Sequence, residues 1–393
     1  MAKIHAFFKE VMARGGSDLH LEQGQKPKIR RNGEMAPIDG QDVLSGEVLK
    51  EILQEIAPPA LWEKYTCMGD IDFAYAMGDL ARFRINYYRH FGGIGAVCRI
   101  IPSKILTLDD LKAPEVLKGF AKLQSGLVLV TGPTGSGKST TLAAIINHIN
   151  EQTSRKIVTI EEPVEFVHPS KNCLIIHREV GTHTDSFSSG LYGAMKSDAN
   201  VILVGEMRDR ETIELACSAA EMGILVFGTL HTNSAAKTVD RIVDVFPAKK
   251  KNQIRSVLAG SLQAVVSQQL LRKADESGRI AAYEILLHTS AMPGVIRAGE
   301  SVKLNGLIQT GKKEGMSAMD DSLSNLVRTG VVTEEAALMK ALDKHRFEEM
   351  IEDRDRKKRF EAERAETMEM NLAAFGKKKP PVPPSTPPAP ETK

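Results

Sequence analysis

The chain has 393 residues, 42% hydrophobic and 26% charged, with a formal net charge of +2. That length exceeds one typical core, so two folded domains with connecting or terminal segments are expected, and the composition excludes a fibrous or wholly disordered chain. Nearly balanced charge makes no demand for a nucleic-acid backbone or an anionic membrane as the main partner.

No apolar stretch approaches the roughly 20 residues that span a bilayer, and the start, MAKIHAFFKE, carries only a short apolar patch broken by charge. We expect a protein that is neither exported nor membrane-embedded and reaches a membrane only through partners. Cys67, Cys98, Cys173 and Cys217 stand far apart, which argues against a zinc knuckle or a disulfide framework and for reduced thiols in the cytosol.

Residues 1–105 predict a small α+β domain. The segment 4–12 is amphipathic at helical spacing, and 28–31, 71–75, 81–88 and 95–101 read as strands broken by Gly and Asn. In 81–88, Arg82, Arg84 and Asn86 alternate with Phe83, Ile85 and Tyr87, giving one packed face and one charged face. Ile101-Pro102 opens a connector, taken as a linker over 106–122.

From 123 to 350 the texture changes to that of an α/β domain. Short apolar runs at 127–130, 157–160, 201–204 and 225–229 alternate with helix-like segments, the pattern of a mostly parallel sheet buried on both faces. A helical region including 249–271 and 334–347 follows. Residues 351–393 read as a charged helix-like run and then a Pro-rich tail, KKKPPVPPSTPPAP, too poor in apolar surface to fold.

The sharpest motif is GPTGSGKST at 132–140, which fits G-x-x-x-x-G-K-[ST] and sits between the run 127–130 and the helix-like 142–150. Gly132, Pro133, Thr134, Gly135, Ser136, Gly137, Lys138, Ser139 and Thr140 form the candidate phosphate cradle. Glycines let successive N–H groups turn inward on phosphate oxygens, and the helix start adds its positive end. Lys138 can reach the β- and γ-phosphates of ATP, and Ser139 can give its hydroxyl to Mg²⁺. Hydrolysis also needs carboxylates near metal and water. Two strand ends offer them: TIEEPVEF at 159–166, with Glu161, Glu162 and Glu165, and VILVGEMRD at 201–209, which delivers Glu206. A third strand end, LVFGTLHTN at 225–233, carries His231, read either as a structural histidine or as a γ-phosphate or inter-subunit sensor.

These four elements, in this order, resemble the Walker A loop, Asp box, atypical Walker B and His box of the secretion ATPase superfamily. Within it, GSDLHL at 16–21, ARFRINYY at 81–88, VLVTGPTGSGKSTTLAA at 128–144 and LVFGTLHTNSAAKTVDRIVDVFPA at 225–248 resemble the type IV pilus retraction ATPases, the PilT and PilU family. The resemblance covers about residues 1–345. It implies a PAS-like N-terminal domain, a RecA-like P-loop NTPase domain, a homo-hexameric ring and nucleotide held between domains. It further implies Glu206, Glu162, Glu165 and His231 as catalytic groups, Glu206 and Ser139 at Mg²⁺, and Arg82 and Arg84 against the phosphates, with Arg99 a weaker candidate.

The expected work is ATP hydrolysis that retracts a pilus through a PilC-like inner-membrane platform protein, with a paralogous retraction ATPase as a further partner. The sequence departs from the family at Glu162, where an Asp is usual, at KSDANVI (196–202) and at AMPGVIRA (291–298). These departures keep an accessory, PilU-like role open beside the primary one. A DNA-translocating motor of the same core class is the other alternative, against which stands the lack of a strong basic run outside Lys249, Lys250, Lys251 and the tail. The tetracysteine zinc insert expected of many assembly ATPases is missing, which weighs against pilus extension.

Overall fold

The computed structural model describes residues 2–31, 34–78, 80–101 and 104–352. The charged run and Pro-rich tail expected over 351–393 lie almost wholly outside them.

The N-terminal part is built on a six-stranded antiparallel sheet in the order β3-β2-β1-β6-β5-β4. Its strands are β1 (Asp18–Glu22), β2 (Lys28–Arg31), β3 (Glu34–Pro37), β4 (Asp70–Met77), β5 (Ala81–His90) and β6 (Gly93–Ile101). The alternation expected for 81–88 is realised in β5: Phe83, Ile85 and Tyr87 are fully buried. The helix Ile4–Ala13 lays Phe8 on Phe83, with ring centroids 3.8 Å apart. Arg82, Arg84 and Asn86 therefore all leave the opposite face, because side chains alternate along a strand.

The second sheet has seven strands in the order β13-β12-β7-β11-β10-β8-β9. They are β7 (Gly126–Thr131), β8 (Lys156–Glu161), β9 (Leu174–Glu179), β10 (Val201–Val204), β11 (Leu225–Leu230), β12 (Leu262–Arg272) and β13 (Arg279–Leu287). All neighbours run parallel except β12 and β13. Every residue of β7, β10 and β11 is buried. Successive side chains feed two cores on opposite faces: Leu127, Leu129 and Ile160 pack in one, Val128, Val130 and Ile157 in the other. This is why these strands read as unbroken apolar runs.

Two expectations need correction. The helix expected over 249–271 stops at Ser261, and Leu262–Arg272 continues as β12. Val265 and Val266 are both fully buried there, one in each core, which suits β-branched residues in a doubly covered strand. The segment 106–122, expected as a linker, sends Leu108, Leu117 and Phe120 into the core that holds Val128, Val130 and Ile145. A connector this apolar gains more from covering the sheet than from crossing solvent.

Candidate active site

Parallel register brings the carboxyl ends of β7, β11, β10 and β8 side by side: Thr131 pairs with Leu230, Gly228 with Val204, and Val204 with Ile160. Loops leaving those ends share one edge of the sheet, where ligands gather in open α/β folds.

The loop after β7 runs from Gly132 to Gly137 and enters the helix Lys138–Gln152. Gly132, Gly135 and Gly137 have φ of 147°, 78° and 88°, values that side-chain-bearing residues rarely adopt. No side chain caps this helix, so the amides of its first turn face the loop with their partial positive charge uncancelled. A Cβ on Gly132 would meet the carbonyl oxygen of Gln268 at 2.3 Å and Ser136 Oγ at 2.6 Å. Ser136 is 3% exposed, and its Oγ has no hydrogen-bond partner among the described residues. A curled, glycine-walled chain with an orphaned buried hydroxyl fits a phosphate ligand. Lys138 Nζ donates to the carbonyls of Gly132 and Pro133, at 2.9 and 3.2 Å. Burial lowers its pKa from the ordinary lysine value, while the charges of Glu206 and Glu165 oppose that shift.

Gln268, on β12, braces the loop from behind and escaped the sequence analysis. Its Nε2 donates to the Ser136 carbonyl and its Oε1 accepts from Thr141 Oγ1, both at 2.8 Å.

Three acidic positions stand at the end of β8 and just beyond it. Glu161, the last residue of the strand, turns inward, and burial pushes its carboxyl up to about 7 despite the hydrogen bonds it accepts. Glu162 is exposed, and Glu165 is half-buried with its Oε1 3.7 Å from Arg84 Nη1. After β10, Glu206 Oε1 lies 2.5 Å from Arg208 Nε and 2.9 Å from His231 Nε2. Burial opposes ionisation of Glu206, but the Arg208 and His231 contacts outweigh it and hold the carboxyl below its ordinary pKa. Ser139 is exposed at the first turn of the helix. The structure thus joins His231 to Glu206 and places both Glu206 and Glu165 within electrostatic reach of Lys138.

From the other sheet, Arg82 Nη2 sits 3.7 Å from Glu179 Oε2 at the end of β9. Arg99 turns back to Asp18 of its own sheet, Nε to Oδ1 at 2.7 Å, so it makes no link to the acidic loop. Glu179 and Arg208 were not anticipated; Glu179 lies in an edge strand whose mixed sequence, LIIHRE, gave no period.

Residues 1–352 match the Type II/IV secretion system protein family. The chain belongs to that family. Within it, a protein of Neisseria gonorrhoeae named "Twitching motility protein" is 49% identical over 80% of this chain and 84% of its own length. The "Type IV pilus retractation ATPase PilT" of Pseudomonas aeruginosa is 47% identical over 83% of this chain and 94% of its own. The crystal structure of the pilus retraction motor PilT with bound ADP matches with a TM-score of 0.82 and 38% identity, covering 89% of this chain and 100% of that one. At these identities and coverages the chain is a type IV pilus retraction ATPase by family. The α/β fold described above matches that of PilT and related secretion ATPases.

Proposed function

We propose that this protein hydrolyses ATP as the motor of type IV pilus retraction, the movement that drives twitching motility. The single observation that carries the reading is the half-buried Lys138 ammonium in a glycine-walled loop, within electrostatic reach of Glu165 and Glu206, in a chain 47% identical to PilT. In this reading the amides of 132–140 and Lys138 bind the triphosphate, and Ser139 and Glu206 would hold Mg²⁺. The metal, when bound, neutralises charge on the phosphate oxygens. Glu161, Glu162 and Glu165 are the candidates for orienting or deprotonating water. Glu161, with a pKa near neutrality, is poised for proton transfer, a role the exposed Glu162 suits less. His231 reads the state of Glu206 through their hydrogen bond.

The wider reading treats residues 1–105 as a PAS-like domain and 123–350 as a RecA-like one. Six copies assemble into a cytoplasmic ring at the pilus base, contact a PilC-like platform protein in the inner membrane, and work beside a paralogous ATPase. No helix among the described residues is long and apolar enough to cross a membrane, which agrees with contact through a partner. The departures at 196–202 and 291–298 favour an accessory role as the second reading, although Met292–Ala298 keeps its helix with Pro293 tolerated in the first turn.

The test compares ATPase turnover of the wild type with Lys138→Ala and Glu206→Ala, and follows pilus retraction in a strain lacking the protein. Both variants should lose turnover by about 10²-fold or more. Wild-type turnover in both refutes the site, whereas normal retraction in the deletion strain refutes the primary role and leaves the accessory one.

A further inference from the structure

Arg82 and Glu179 form a contact between the two sheets that the motif set does not include. Glu179 is 9% exposed and closes β9 directly opposite Glu161 in the parallel ladder. Its Oε2 accepts the Val164 N–H at 3.0 Å, and its Oε1 accepts from Thr182 Oγ1 at 3.3 Å. One carboxylate therefore both pins the loop that carries Glu165 and faces the guanidinium of Arg82. The arginine is poorly served there. Nη2 stands 3.7 Å from the carboxylate, beyond the 2.7–2.9 Å of a charge-assisted hydrogen bond, and the buried Nε has no partner among the described residues. A guanidinium has five N–H groups in a planar fork, and this loose ion contact leaves the buried Nε–H unmet.

We propose that Glu179 is a positioning residue that parks Arg82 beside the acidic loop and competes with the nucleotide's phosphates for its guanidinium. The inference rests on the reading that Arg82 acts on those phosphates. Two demands then fall on one side chain. Without nucleotide, the Glu179 carboxylate keeps Arg82 close to its target and shields a half-buried cation. With triphosphate present, oxygens that match the fork geometry can satisfy the N–H groups that Glu179 leaves unmet, and the weak contact yields. Arg84 is shared between Glu165 and Asp72 of its own sheet, each at 3.7 Å, and Glu165 belongs to the candidate catalytic set, which makes Glu179 the cleaner probe.

Glu179→Gln separates the two roles of the carboxylate. Glutamine keeps an oxygen for the Val164 N–H but lacks the charge that attracts Arg82. In steady-state ATPase assays on the full chain, Glu179→Gln should lower KM for ATP by about three- to tenfold, the range set by a partly buried ion pair, with kcat changed much less. In an Arg82→Ala background the same substitution should leave KM unchanged. Glu179→Asp keeps the charge and should restore most of the wild-type KM; it also serves if the glutamine variant fails to fold, because pulling the carboxylate back by one methylene then predicts a smaller KM decrease that again vanishes without Arg82.

An unaltered KM in Glu179→Gln, or an equal shift with and without Arg82, overturns the inference. The two failures are distinguishable. If Arg82→Ala alone leaves kcat/KM at the wild-type value, the phosphate role of Arg82 falls and takes this inference with it. If Arg82→Ala lowers kcat/KM while Glu179→Gln is silent, only the parking role falls.

Discussion

Gln268→Leu tests whether the phosphate loop is held in shape from behind. The side chain is 2% exposed and makes two buried hydrogen bonds of 2.8 Å, to the Ser136 carbonyl and the Thr141 hydroxyl. Leucine fills a similar volume but leaves both partners unsatisfied, at about 1–3 kcal/mol each. For a domain of this size each kcal/mol lowers Tm by roughly 2–4 °C, so a fall of about 4–24 °C is expected. The effect on binding should exceed the effect on folding. Gly137 lies so close that a Cβ there would meet Gln268 Nε2 at 2.9 Å, and the loop's curl is moulded on this side chain. Once the brace is gone the amides must be ordered by the ligand itself, and nucleotide affinity should fall about tenfold or more. Gln269→Leu is the control: Gln269 Nε2 donates to the Lys340 carbonyl at 2.9 Å, away from the loop. Titration with ADP or ATP, read beside melting curves of both variants, decides the matter. If Gln268→Leu binds nucleotide as the wild type does and melts no lower than Gln269→Leu, the bracing argument is wrong.

Other outcomes follow from the same geometry. Gly137→Ala forces a side chain into φ 88° and against Gln268 Nε2, so it should fold with a small stability loss of about 1–2 kcal/mol yet bind nucleotide weakly in the same titration. Glu161→Gln should change the pH dependence of stability. A buried carboxyl whose pKa rises to about 7 binds its proton more tightly in the folded than in the unfolded state, so its favourable contribution is complete below the ordinary carboxyl pKa. It is lost as pH rises through 7, by about 3 kcal/mol in all. Glutamine cannot ionise, so the variant should gain Tm relative to the wild type at pH 8 and gain little at pH 4; equal differences at both pH values would contradict the assigned burial.

Residues that act through local geometry were legible in the sequence. Glycines at fixed spacing between an apolar run and a helix mark a phosphate loop because few other backbones allow that curl, and the strict alternation in β5 fixed which face Arg82 and Arg84 would leave. What was not legible depends on partners distant along the chain. Gln268 braces Ser136 from 132 residues away, and a glutamine inside LQAVVSQQLLR carries no mark of that partner. The same run reads as helix because a strand covered on both faces shows no period of 2. Arg99 differs from Arg84 in sequence by nothing that predicts its pairing with Asp18, 81 residues earlier. Among the glutamates at the end of β8, adjacency hid the distinction that matters: neighbours at a strand end point to opposite sides, so Glu161 is largely covered and Glu162 is exposed.

If Arg82 and Arg84 act on the nucleotide as proposed, their placement ties fuel to shape. Loops from β7, β8, β10 and β11 are fixed to one sheet, whereas Arg82 and Arg84 ride on another and reach Glu179 and Glu165 through ion pairs at 3.7 Å. Any rotation between the sheets that lengthens those pairs weakens them, while the carboxylates of Glu165 and Glu206 stay with the P-loop. A phosphate ligand that draws the arginines away from Glu179 and Glu165 must therefore favour one relative position of the sheets over another. Thermodynamic reciprocity then requires that an imposed sheet position change nucleotide affinity by the same factor. A force applied to the N-terminal sheet would thus be felt at Lys138 without any contact to the P-loop itself.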